Sequence, residues 1–226
     1  MLVSLHLPKT AGTSFALALD KRFGRRLKRD YGDFPLNTPV SIRNEAALRM
    51  ASGYKPSHFS KVECVHGHFL PVKYLDLAQL MDVTFITWMR NPVDRIISHY
   101  NFWRNKYNPQ KSPPLHKKMA EENWSLERFC LGGELRNLYS QFLWQFPFEK
   151  FDFIGITEHY DEDFEYFSRN YLKKKLPLKR ANIGVTRSSS GEDMEILRER
   201  IAEYHAEDMN LYFSALKKRA MRGGAR

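Results

Sequence analysis

With 226 residues, 42% of them hydrophobic and 14% aromatic, the chain can bury a substantial core, which excludes general disorder and suits one domain. Its 36 Lys and Arg against 26 Asp and Glu give a formal charge of +10, which favours an anionic partner such as phosphate, sulfate, nucleic acid, acidic glycan or anionic lipid without choosing among them. Only two cysteines occur, Cys64 and Cys130, so a zinc ribbon and a disulfide scaffold are excluded; two buried free thiols are expected, with a single disulfide as the alternative.

Residues 2–7 alternate apolar and polar side chains and predict a first strand. A turn over 8–12 leads to a helix capped by Thr13 or Ser14 and ending near Phe23. Residues 24–60 are rich in turn signals, with a helix over 42–51 between them. Residues 62–65 predict a second short strand, followed by His66-Gly67-His68. The β-branched and aromatic run 83–89 predicts a third strand stopping at Arg90, after which Asn91 as N-cap and Pro92 at the first helical position open a helix to about Arg104. A loop is expected over 105–118, helices over 121–131 and 133–145, a strand over 151–156 and a helix over 161–172. A basic loop then reaches Gly191, one long helix covers 192–219, and the tail 221–226 is expected to fray. Strands separated by helices imply one α/β domain over 1–226, with a central, mainly parallel sheet flanked by helices. Ligands in such sheets bind at the carboxyl ends of the strands, which directs attention to 8–14, 66–68 and 90–104.

In Pro8-Lys9-Thr10-Ala11-Gly12-Thr13-Ser14 a strand passes through a tight turn straight into a helix. Amides at a helix start, with the positive end of its dipole, bind anions; Lys9 adds a mobile charge and Thr10, Thr13 and Ser14 add hydroxyls. The domain is thus P-loop-like without a Walker A loop, because Lys9 precedes Gly12 by three residues instead of following it. An ordinary strand–turn–helix with a capping Thr has the same pattern. Arg90 projects into the ligand crevice at the end of the third strand. Its helix carries a core stripe of Val93, Ile96, Ile97 and Tyr100, which leaves Arg95, Ser98 and Phe102 off the stripe. Ser98 can then face the same anion as Arg90; an ion-paired Arg with an incidental Ser is the other reading. His66 and His68, two apart, point to one side of an extended segment. Core histidines or metal ligands also fit them, although no Cys or carboxylate cluster adjoins them in sequence.

Taken together, Lys9-Thr10-Ala11-Gly12-Thr13-Ser14 and Arg90-Asn91-Pro92-x-x-Arg95-x-x-Ser98-x-Tyr100 resemble the paired signatures of sulfotransferases that use 3′-phosphoadenosine 5′-phosphosulfate (PAPS). The chain looks most like the carbohydrate branch that includes heparan sulfate 2-O- and dermatan or uronyl 2-O-sulfotransferases. His66-Gly67-His68, Arg136-Asn137-Leu138, the Gly155-Ile156-Thr157-Glu158 end of a strand and Asp208-Met209-Asn210-Leu211-Tyr212 support the likeness along nearly the whole chain. The resemblance implies that Lys9, Thr10, Ala11, Gly12, Thr13 and Ser14 hold the 5′-phosphosulfate, and that Arg90 and Ser98 hold the 3′-phosphate. It makes His68 the general base, His66 a supporting group that orients the acceptor, and Lys9 the cation that stabilises the leaving group. It also points to Arg187 and Ser188, in the late hydroxyl-rich loop 182–191, for the 3′-phosphate or adenine; a plain linker is the other reading.

No metal is required for this chemistry. A P-loop-type kinase using ATP is the enzyme alternative, but it would want a strand-end Asp for Mg²⁺ where this chain has Arg90. A basic nucleic-acid-binding module is the non-enzyme alternative; it lacks a recognisable reader motif, and no nucleic-acid partner is expected. The expected partner is a hydroxyl acceptor, a glycan or another small or anionic molecule. Basic clusters at 21–29, 104–118, 173–180 and 217–219 are where an anionic acceptor would be sought. The chain has no run of about 20 apolar residues and no signal-peptide core, so a cytoplasmic enzyme is expected, or a Golgi-lumen one if an anchor has been trimmed away.

Overall fold

The computed structural model describes residues 1–33, 35–173 and 191–223. Its elements are β1 (Leu2–Leu5), α1 (Gly12–Phe23), β2 (Leu27–Arg29), α2 (Val40–Gly53), β3 (Cys64–Gly67), α3 (Leu77–Leu80), β4 (Thr84–Met89), α4 (Pro92–Lys106), α5 (Pro114–Glu121), α6 (Leu126–Cys130), α7 (Leu138–Phe142), β5 (Phe151–Ile156), α8 (Tyr160–Asn170), α9 (Glu192–Tyr204) and α10 (Ala206–Gly223). The five strands form one parallel sheet in the order β2-β3-β1-β4-β5.

Side-chain alternation builds a core on each face of this sheet. Leu2, Cys64, Ile86, Trp88 and Phe153 meet Phe15 and Leu19 of α1 and Phe164 and Phe167 of α8. Val3, Leu5, Val65, Phe85 and Met89 meet Leu138, Tyr139 and Phe142 of α7 and Tyr212 and Ala215 of α10. A third cluster joins Val93, Ile96, Ile97, Tyr100 and Trp103 of α4 to Met119, Phe129 and Ile201 of α5, α6 and α9. The chain leaving β1 turns toward β2 and β3, and the chain leaving β4 turns toward β5. The crevice between those two adjacent strands is therefore the topological switch point, where an open α/β sheet binds ligands.

Several expectations are corrected. β2 carries Leu27-Lys28-Arg29, has no apolar alternation and sits at the sheet edge, so no pattern announced it. β3 starts two residues later than expected and takes in His66 and Gly67. The loop expected over 105–118 gives way to α5 at Pro114, which occupies a first-turn position where its missing N–H costs nothing. The helices expected over 121–131 and 133–145 shrink to α6, capped by the Ser125 hydroxyl, and α7, which follows Asn137 in the left-handed region at φ 48°. The single final helix breaks at His205, whose Nδ1 accepts from the Asn137 amide at 3.1 Å and whose Nε2–H donates to the Cys130 carbonyl at 2.8 Å. Arg95, placed off the core stripe by its spacing, is fully buried. α10 continues to Gly223, and residues 224–226 of the expected frayed tail lie outside the described residues. Cys64 and Cys130 are buried free thiols. Among the described residues no helix is long and apolar enough to cross a membrane.

Candidate active site

The loop after β1 is bent by Lys9 at φ 67° and Ala11 at φ 62°, left-handed conformations that cost a non-glycine residue on the order of 1 kcal/mol each. Ala11 is the residue before α1 and no side chain caps that helix, contrary to the expected Thr13 or Ser14 cap. Ala11 offers the first-turn amides no side-chain acceptor, and Ala11, Gly12, Thr13 and Ser14 line the crevice. Gly12 is required by close approach: a Cβ there would lie 1.6 Å from His6 Nε2. Thr10 is buried, and its hydroxyl donates to the Leu7 carbonyl at 2.8 Å, so it closes the loop from inside and does not line the crevice. The Lys9 ammonium stands 4.0 Å from the centre of the Phe102 ring. Burial, and then the nearby Arg90 charge, lower its pKa.

Across the crevice, Arg90 follows β4 and is half-buried. Asn91 caps α4 as expected, its Oδ1 accepting from the Val93 amide at 3.0 Å and the Asp94 amide at 3.4 Å, with Pro92 at the first helical position. The Glu158 carboxylate, just beyond β5, accepts from the Asn91 amide at 2.8 Å. Ser98, two turns along α4, lines the same cleft as Arg90, Lys9, Ala11, Gly12, Thr13 and Ser14. Arg187 and Ser188 lie outside the described residues.

Between the two turns sits a group of imidazoles that the sequence signalled only in part. His68 donates from Nδ1 to the His6 carbonyl, which can only accept. The proton is therefore on Nδ1, and Nε2 carries a bare lone pair. Burial lowers the His68 pKa and the bond to the His6 carbonyl offsets part of that shift, so the ring is neutral near pH 7. The His6 ring stacks on His68 at 4.3 Å and on His66 at 5.1 Å. The Tyr31 ring meets His68 edge-on at 5.0 Å, and its hydroxyl lies 3.2 Å from His6 Nδ1. His66 is a β3 residue facing the α1 side of the sheet, where Nδ1 lies 2.9 Å from the hydroxyl of its cross-strand neighbour Ser4. Burial pushes its pKa down to about 3. Both rings stack on His6, but His66 meets Phe15 of α1 while His68 meets Phe142 of α7 and lines the cleft.

His6, Tyr31, Phe102 and Phe142 also line the site. The alternation of β1 could have pointed to His6; nothing in the local sequence marks Tyr31. The cleft holds about 1420 Å³. Among the described residues its lining cations are Lys9, Arg90 and Lys106, and its lining carboxylates are Asp94, Glu158, Asp161 and Glu162. The basic cluster 21–29 is elsewhere: Arg26 pairs with Glu63 and Arg29 with Asp20. Lys218 donates to the Phe151 carbonyl at 2.7 Å, and Arg219 pairs with Asp163 at 2.9 Å. Of the 173–180 cluster, only Lys173 belongs to the described residues. Among those residues, no group of three or more His, Cys, Asp or Glu is arranged to hold a metal ion.

No family model matches this chain, and no curated protein matches it either. Among solved structures it is similar to a sulfotransferase from Alicyclobacillus acidocaldarius, at 14% identity over 92% of each chain with a TM-score of 0.44.

Proposed function

We propose that the chain is a sulfotransferase that moves the sulfuryl group of PAPS to a hydroxyl of a carbohydrate-type acceptor. One observation carries this: a single cleft at the switch point joins an uncapped helix start with Lys9, a strand-end Arg90 with Ser98, and a neutral imidazole whose Nε2 is bare. In this assignment the α1 amides and Lys9 hold the 5′-phosphosulfate, and Arg90 and Ser98 hold the 3′-phosphate. The acceptor O–H gives its proton to His68 Nε2 as the new O–S bond forms. The bond from sulfur to the bridging phosphate oxygen breaks, and Lys9 meets the charge that gathers on that oxygen. The products are adenosine 3′,5′-bisphosphate, a sulfate ester and a proton on His68.

The lining charges bear on the acceptor. Lys9 and Arg90 are taken by the nucleotide, and among the described lining residues Asp94 pairs with Arg198 at 2.8 Å and Glu162 with Arg219 at 2.5 Å. Beyond the nucleotide the wall offers the Asn37, Asn101 and Asn105 amides and the Tyr31, Phe142 and Trp103 rings. Amides beside aromatic faces suit a polyhydroxyl acceptor such as a saccharide. Labelled sulfuryl from PAPS should therefore pass to saccharide hydroxyls in preference to simple alcohols. His68→Ala should keep nucleotide affinity and lose transfer by about 100-fold or more. Transfer that is intact in His68→Ala, or no transfer to any hydroxyl acceptor, would count against the proposal.

A further inference from the structure

Arg90 lies between the last ladder residue of β4 and the cap of α4, so neither element supplies partners for its backbone. One side chain does. The Tyr139 hydroxyl accepts from the Arg90 amide at 3.0 Å and donates to the Arg90 carbonyl at 2.7 Å. Tyr139 is fully buried in α7, a five-residue helix that no side chain of its own segment caps. Asp208 of α10 performs that task from across the core, its Oδ2 accepting from the Tyr139 amide at 3.0 Å and its Oδ1 from the Ser140 amide at 3.1 Å. Arg95 lies 5.6 Å from the centre of the Tyr139 ring. Its three guanidinium nitrogens are buried with no hydrogen-bond partner among the described residues, so its charge acts through space on that ring and on the Asp208 carboxylate, whose ionised form it favours. The two late sequence stretches that no site had absorbed, Arg136-Asn137-Leu138 and Asp208 to Tyr212, thus meet here.

We propose that Tyr139, held by Asp208 and Arg95, is a positioning residue that sets the Arg90 backbone and so builds the 3′-phosphate subsite. This rests on the assignment of Arg90 to the 3′-phosphate made above. Removing the hydroxyl frees both backbone groups of Arg90, which lets its side chain swing away from the crevice while the loop at Lys9 stays in place. The effect should fall on one phosphate of the nucleotide and spare the other.

The test compares binding of adenosine 3′,5′-bisphosphate with binding of adenosine 5′-monophosphate by calorimetry, in wild type and in Tyr139→Phe. The wild type should prefer the bisphosphate strongly. In Tyr139→Phe, affinity for the bisphosphate should fall about 10-fold or more while affinity for the monophosphate stays within about twofold, so the preference shrinks. A purely structural loss would lower both together. Asp208→Asn, which keeps shape but can offer only one oxygen to the two amides, should give a smaller fall in the same ratio, and it serves if Tyr139→Phe does not fold. A preference left intact in folded variants overturns the positioning role alone. A wild type that shows no preference for the bisphosphate overturns the 3′-phosphate assignment and this proposal with it.

Discussion

After β1 the chain enters its helix through Lys9 and Ala11, both at positive φ, and no side chain caps α1. After β4 it enters through Asn91, whose Oδ1 takes the amides of Val93 and Asp94. The two turns lie side by side at the switch point, yet they offer an anion different things. The first presents backbone amides and the helix dipole, with Lys9 as a mobile addition. The second has committed two of its first-turn amides to its own cap, so it can hold a phosphate chiefly through the Arg90 and Ser98 side chains. A backbone site is rigid and breaks when the loop geometry changes; a side-chain site breaks one group at a time.

Gly12→Ala should have the largest effect. The added Cβ falls on His6 Nε2, and the displaced ring is the one stacked on His68. A displacement of about 1 Å at such a site can cost 100-fold, so both nucleotide affinity and transfer should collapse, as calorimetry and a labelled-PAPS assay would show. Arg90→Ala should cost less: removal of charged hydrogen bonds predicts nucleotide binding about 10–100-fold weaker, with the melting temperature little changed.

Acidification should act on the imidazoles between the two turns. Burial lowers the pKa of His6, His68 and His99, and pushes His66 down to about 3 and His205 to about 4. The unfolded chain binds more protons on these groups below pH 6.5, so the stability they contribute is present above that value and is lost as pH falls through their folded pKa values. Asp208, raised to about 6 chiefly by burial, has the opposite sign and is one group against five. Urea melts from pH 7 to pH 4 should show falling stability, and turnover should fall as His68 gains a proton. The smallest effect belongs to Asn91→Ala, which loses a cap worth about 1 kcal/mol and should leave nucleotide affinity within about twofold.

The same pair of turns shows how far the sequence could be read. Both lay in plain local signals: the β-branched run before Arg90, Asn91-Pro92, and the short strand that runs into Pro8-Lys9. The α/β alternation placed them at one sheet edge. What stayed hidden depended on tertiary register. Tyr31 reaches His68 because the Asp30 amide bonds the His66 carbonyl at 3.0 Å and carries β2 one step further, past Gly67, where a Cβ would strike the Asp30 carbonyl at 1.7 Å. β2 itself is too polar to show. Arg95 falls off the core stripe of α4 yet is buried beside Tyr139 of α7, and no local pattern encodes a contact between residues so far apart as Tyr139 and Asp208. Thr13 and Ser14 are residue types that cap helices, but the left-handed Ala11 takes the position before α1.

In the proposed function the two turns hold two phosphates of one nucleotide without needing a metal. Calorimetry with adenosine 3′,5′-bisphosphate in excess EDTA tests it most directly. Binding in the micromolar range or tighter is expected under those conditions, weakened in Arg90→Ala. No binding in EDTA, together with binding of Mg-ATP, would contradict it.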